Sequence, residues 1–199
     1  AIVTPKGTAM WAKLFTPDFK FSDVGEYSVA LTLRADRAVD IVSKIDAQLN
    51  VSLEKAQKEN PTKKGSIKPA NPPYKEVYDE QGNATGDIEF KFKQKAVVQT
   101  KNGPLKKKPA VVDAKGEPIE VGNGSVMKVA FDMYPYYTAM AGAGVSLKLT
   151  AAQLIDVKGG FKFDVEDGYE FSESDVKQND EDFTNEEETP RQTDDTGDF

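Results

Sequence analysis

Apolar and polar residues alternate in several short runs of the chain, and in one stretch apolar residues recur every fourth position. In "EYSVALTL", residues 26–33, Tyr27, Val29, Leu31 and Leu33 fall on one side of an extended chain, the period of a half-buried strand. "TAMWAKLFTPDFKF" (8–21) predicts an earlier, partly alternating strand, with Pro17 marking a break or an edge. "DIEFKFKQKAVVQT" (87–100) predicts a third. "KNGP" then makes a tight turn, and "LKKKPAVVDAKGEPI" (105–119) a returning strand ending in a "DAKG" turn. "GSVMKVAFDMYPYY" (124–137) and "GVSLKLTAAQLIDVK" (144–158) supply two more, joined through "TAMAGAG". The four-residue spacing belongs to Ile41, Ile45, Leu49 and Leu53, with Ala38, Val42 and Ala56 beside them. It predicts one helix, opened by Asp36, running to about Asn60 and stopped by Pro61. Residues 61–87 are rich in Pro, Gly and Lys and read as a long excursion with the composition of a mobile segment.

Turn-linked strands with one helix inserted after the second predict a mainly β protein. The pattern fits a five-stranded Greek-key barrel of the oligonucleotide-binding (OB) type, elaborated by that helix. A two-sheet sandwich is the alternative.

At 199 residues, 38% hydrophobic and 30% charged, the chain has the composition of a soluble protein with a modest core. No apolar run approaches the roughly 20 residues of a membrane helix, so no membrane association is expected. The start shows no secretory leader, which leaves the glycosylation-type triplets at Asn50, Asn83 and Asn123 without significance. There is no cysteine and no histidine. Disulfides, thiolate nucleophiles, cysteine or histidine metal sites and Ser-His-Asp catalysis are therefore excluded. No phosphate-binding G-x-x-x-x-G-K loop occurs. "VGNGSVMKV" lacks the third glycine of a dinucleotide fingerprint and reads as a turn into a strand. The expectation is a protein that is not an enzyme and needs no cofactor.

Charge changes the picture more. The net charge of −7 hides two opposite parts. Residues 1–163 carry 24 Lys+Arg against 18 Asp+Glu, net +6, whereas residues 164–199 carry 2 against 15, net −13. A basic body points to nucleic acid or another polyanionic partner. From Ser172 onward the apolar content falls to Val176, Phe183 and Phe199, too little to offset an ordering cost of roughly 1–2 kcal/mol per residue. Residues 1–171 are thus expected to form the domain and 172–199 a disordered acidic tail. Such a tail can compete for the body's own anion-binding surface.

Within "FKFKQK", Phe90 and Phe92 face one way and Lys91, Lys93 and Lys95 the other, the lysines roughly 7 Å apart, near the phosphate repeat of a single strand. Lys101, Lys106, Lys107 and Lys108 follow across the hairpin and would extend a basic ribbon. Protection of an edge strand is the other reading of these lysines. In "MYPYYTAM", Tyr134, Tyr136 and Tyr137 surround Pro135, expected to interrupt pairing and expose the segment. Aromatic rings beside a basic ribbon are how single strands are held without sequence preference. Trp11, with Lys13 nearby, and Phe15 or Phe19 are further stacking candidates. The helix has a mixed outer face, with Asp40, Asp46 and Glu54 among its lysines, unsuited to reading a major groove.

In these stretches the chain resembles the single-stranded DNA-binding proteins of short-tailed bacteriophages, including those of cyanobacteria. The resemblance is carried by "GTAMWAKLFTPDF", "EYSVALTL", "FKFKQKAVVQTKNG", "VVDAKGEPI", "GNGSVMKV", "PYYTAMAGAGVSLKLTAAQLIDV" and "DDTGDF", in that order along nearly the whole chain. It implies an OB fold, a homodimer, and a protein that coats replication intermediates and promotes annealing in the cytoplasm of the infected bacterial host. It also implies that the acidic end, Asp194, Asp195 and Asp198 before Phe199, docks on the phage DNA polymerase and primase-helicase, with Phe199 as anchor and Tyr136 as a stacking residue. Tyr137-Thr138 stands where the family pattern has Lys-Trp, and Pro190 and Arg191 interrupt the tail. An acidic-tailed, chaperone-like protein-binding factor and a magnesium-dependent nuclease are the rival readings.

Overall fold

The computed structural model describes residues 1–112 and 120–159. The chain forms β1 (Ile2–Val3), β2 (Gly7–Asp18) and β3 (Glu26–Arg34), then the helix α1 (Ala35–Glu59) and a 3₁₀ turn (Pro61–Ser66). β4 (Tyr74–Tyr78), β5 (Ala84–Lys95), β6 (Val97–Thr100), β7 (Gly103–Lys106) and β8 (Ala110–Val112) follow. The long β9 (Ser125–Thr138) and β10 (Gly142–Asp156) complete the described chain.

Hydrogen-bonded neighbours run β9–β2–β3–β5–β10 and return to β9, so five strands close on themselves. All these pairings are antiparallel except β5 with β10, which is parallel and registers at Lys93 and Lys148. This is the Greek-key barrel that the alternation predicts, and the closed path excludes the sandwich. β1 extends the sheet beside β9, β4 lies along β5, and β8 runs parallel to β10.

The barrel fills with the inward residues of each strand. Phe90, Phe92 and Phe131 are fully buried with Leu31, Met127, Val129 and Leu149, and the rings of Phe92 and Phe131 are 5.1 Å apart. α1 covers β9 and β10 through Ala38, Ile41, Ile45, Ser52 and Ala56, the predicted stripe, with Val42, Leu49 and Leu53 at its margin. The Ser52 hydroxyl donates to the Gly144 carbonyl at 2.8 Å, and the Tyr74 hydroxyl donates to Asp46 Oδ1 at 2.6 Å, which ties β4 to the helix. Asp36 lies in the first turn, where its charge favours the helix dipole, and not at the cap itself, which is Arg34.

Three expectations are corrected. Residues 61–87 are not a structureless excursion. They hold the 3₁₀ turn and β4, and Lys68–Ala70 is bonded to Ala143 by Ala70 N–H to Ala143 O at 2.8 Å and Ala143 N–H to Lys68 O at 2.9 Å. Pro17 does mark an edge, since β9 reaches only Gly7–Ala9 and β2 beyond them pairs with β3 alone. The register there slips between Met10 and Lys13 and between Lys13 and Asp18. The strand predicted over 87–100 breaks at Ala96. Its partner β3 runs out where Glu26 faces Lys95, and Ala96 N–H donates to Gly25 O while its carbonyl accepts from Lys107, both at 2.8 Å. Beyond that bend β6 and β7 pair only with each other. The returning strand is likewise divided into β7 and β8, and the "DAKG" turn lies outside the described residues.

Candidate nucleic-acid interface

On β5, Phe90, Phe92 and Gln94 point into the barrel and Lys91, Lys93 and Lys95 point out. β5 has β3 on one side and β4, then β10, on the other, so these lysines do not guard a free edge. They lie on the outer face of β3 and β5, the strands that in an OB barrel present the oligonucleotide surface. Opposite them on β3 are the small side chains of Ala30 and Ser28, which line a cleft between larger neighbours, and Glu26. Glu26 Oε1 is 3.6 Å from Lys93 Nζ, an exposed pair of small energetic weight.

An open cleft of about 320 Å³ runs along this face, lined by Trp11, Phe21, Ser28, Ala30, Lys91 and Lys93. Asp18 and Glu26 close its rim. Trp11 is 67% exposed and Phe21 91%, large apolar surfaces held in water beside two ammonium groups. Trp11 owes its position to the slip in β2, where Trp11 and Ala12 together oppose Val29 of β3, and it has φ 54°, the left-handed region. A tryptophan held there costs about 1–3 kcal/mol, so neighbouring contacts must impose it. One does: the Trp11 N–H donates to Asn123 Oδ1 at 2.8 Å.

From Lys93 the basic face continues onto β10 through its neighbour Lys148, whose Nζ stands 4.8 Å from the centre of the Tyr134 ring. Tyr134 is half exposed. Tyr136 is placed differently. Its ring lies over Gly144, its cross-strand partner, where an added Cβ would come within 2.6 Å of the ring. Tyr137 is exposed opposite buried Ala143. Pro135 does not interrupt β9, which stays paired with β10 to Thr138. β1 and β2 pair only with residues 125–131 of β9, so past that point the strand has a partner on one side alone, where proline is tolerated.

Lys101, Lys106, Lys107 and Lys108 are exposed on the β6–β7 hairpin and the irregular segment between β7 and β8. Because the hairpin separates from β5 at Ala96, they do not form one ribbon with Lys91, Lys93 and Lys95. Lys108 Nζ lies 6.0 Å from the Phe15 ring on β2. Asp194, Asp195, Asp198 and Phe199 are outside the described residues. Sequence reading passed over Phe21 and Lys148. The alternation of "VSLKLT" marks Lys148 as outward, but only the barrel closure reveals its neighbour. Among the described residues no group of three or more Asp or Glu could hold a metal ion, and no helix is long and apolar enough to cross a membrane.

A closed five-stranded barrel with lysines and exposed rings on its β3–β5 face defines an oligonucleotide-binding barrel suited to single strands. The family model described as the single-stranded DNA-binding protein of bacteriophage T7 matches residues 6–157, and the chain belongs to that family. Its structure is similar to that of gp2.5, a single-stranded DNA-binding protein encoded by bacteriophage T7, with 26% identity and a TM-score of 0.68 over 86% of this chain and 98% of that one. The single-stranded DNA-binding protein of bacteriophage Enc34, truncated at its C-terminus, shares the fold at 14% identity and a TM-score of 0.55, over 80% of this chain and 87% of that one. The Enc34 protein in complex with single-stranded DNA gives 15% identity and a TM-score of 0.54, over 80% and 88%. No curated protein matches the chain.

Proposed function

We propose that this member of the phage family binds single-stranded DNA without sequence preference by laying it along the β3–β5 face, in phage replication and recombination. The observation that carries this reading is the cleft that brings Trp11 and Phe21 together with Lys91 and Lys93 on one open surface. Lysines track the phosphates while rings take bases by their faces, about 1–3 kcal/mol per stacked base, and neither contact reads sequence. Lys148 and Tyr134 extend the path onto β10 and β9. The hairpin lysines 101 and 106–108 form a second basic surface for the same backbone. Tyr136, set over Gly144, serves more as packing than as an open platform. α1 buries its apolar stripe on the barrel and offers no recognition helix.

The acidic segment, net −13 over residues 164–199, competes with DNA for this face and, once displaced, reaches the phage polymerase and primase-helicase through Asp194, Asp195, Asp198 and Phe199. Coating and annealing of strands by a homodimer in the infected cell complete the reading.

Titration with oligonucleotides of mixed sequence tests it. Binding should be tighter for single than for double strands, and log K should fall with log salt by about 0.7 per neutralised phosphate. Equal affinity for both forms, or affinity indifferent to salt, would overturn it.

A further inference from the structure

The turn at Gly122–Ser125 touches β2 beside the cleft, and it is built more firmly than a connection needs. Ser125 is fully buried. Its hydroxyl donates to Gly122 O at 2.7 Å and accepts from the Lys158 N–H at 2.9 Å, while Gly122 N–H donates back to Lys158 O. From this base two bonds reach β2 on either side of Met10. Gly124 N–H donates to Ala9 O at 2.9 Å, and the Asn123 side chain accepts from the Trp11 N–H at 2.8 Å. Gly124 has φ 89°, so the turn takes its shape from a conformation that glycine adopts freely. The Asn123 contact meets β2 at the one non-glycine residue in the left-handed region among the described residues, and at the point where the pairing with β3 slips.

We infer that Asn123 is a positioning residue for single-strand binding: its side-chain carbonyl holds the Trp11 backbone in the left-handed bulge, so that the indole stands in the cleft opposite Phe21 as a ready platform for one unpaired base. The inference rests on the reading of the β3–β5 face as the DNA surface. Without the bond, the N–H of residue 11 has no protein acceptor, and the strained tryptophan relaxes toward extended backbone. That swings the ring away from Lys91 and Lys93. A base then has to be paid for with reorganisation that the native bulge has already made. A fold needing only a bulge here would carry glycine, which enters this region without strain. The ring is what glycine cannot supply.

Trp11 is the chain's single tryptophan, so its fluorescence reports on this position alone. The full chain is titrated with an end-labelled oligo(dT), following label anisotropy and Trp11 emission together. N123A should bind about three- to tenfold more weakly, with Trp11 emission shifted in the free protein and less quenched by DNA. N123D, which keeps an oxygen acceptor, should restore the emission of the free protein, and the affinity at a salt concentration that screens its charge. W11G should melt no lower than the wild type, yet bind at least about fivefold more weakly. In the W11G background N123A should cost no further affinity. An equal N123A penalty in both backgrounds, or wild-type affinity and quenching in N123A, would overturn the positioning role while leaving the DNA face intact. Wild-type affinity in W11G would instead remove stacking at this cleft, and the inference with it.

Discussion

The ring of Tyr136 lies across Gly144, so a glycine of β10 faces one of the widest residues of β9. A methyl group at position 144 would meet Cζ and Oη of that ring at 2.6 Å and the Ala70 side chain at 2.8 Å. G144A should therefore destabilise the fold by about 1–3 kcal/mol, the usual cost of overpacking. Urea denaturation would show it as a lower midpoint with an unchanged slope. Y136A in the G144A background should recover part of the loss, because the ring that the methyl group strikes is then gone.

Lys91 and Lys93 face the cleft floor, whereas the hairpin lysines stand apart from it. If each of the two contacts one phosphate, K91A/K93A should lower the magnitude of the salt slope of oligonucleotide binding by about 1.4. The variant K101A/K106A/K107A measures the hairpin in the same units. A slope unchanged by the first and reduced by the second would move the phosphate path from the barrel to the hairpin.

Removing residues 173–199 takes away eleven acidic and two basic groups. DNA affinity at low salt should rise, and the gain should shrink as salt approaches molar concentrations, where the screening length falls to about 3 Å. Equal affinities of the full and shortened chains at low salt would show that the segment does not compete for the face.

The Tyr74 phenol is pushed up to about 12 by burial and by its hydrogen bond to Asp46. A pKa raised on folding contributes stability that is complete below the unfolded value of 10 and lost as pH rises through the folded one. The wild type should thus lose stability between pH 10 and 12 more steeply than Y74F. At neutral pH, Y74F should be less stable by about 1 kcal/mol. Melting temperatures of the two proteins across that range provide the comparison.

Where a side chain's fate depends on near neighbours in sequence, the chain could be read directly. Tyr27, Val29, Leu31 and Leu33, the Phe90–Lys95 alternation and the Ile41–Ile45 stripe all lie on the faces that their spacing assigns. What depends on partners far along the chain was not legible. Nothing in "FKFKQKAVV" says that β3 ends opposite Lys95, so the bend at Ala96 and the separate hairpin escaped notice. "TAMWAKLF" carries no glycine to announce a left-handed residue. The bulge at Trp11 becomes intelligible only with Asn123 beside it. Phe21 looked like one more aromatic until the cleft set it near Trp11.

The barrel closes between β5 and β10 at a single registered pair, and both members of that pair are outward lysines. Most seams of a barrel are sewn by long ladders. This one is short, and its two lysines turn apart, Lys93 toward Glu26 of β3 and Lys148 toward the Tyr134 ring of β9. An anion spanning the two strands would draw both side chains to itself and act as a clasp on the barrel wall. Occupancy of the face and integrity of the fold would then rise and fall together, with the ligand helping to keep shut the structure that binds it.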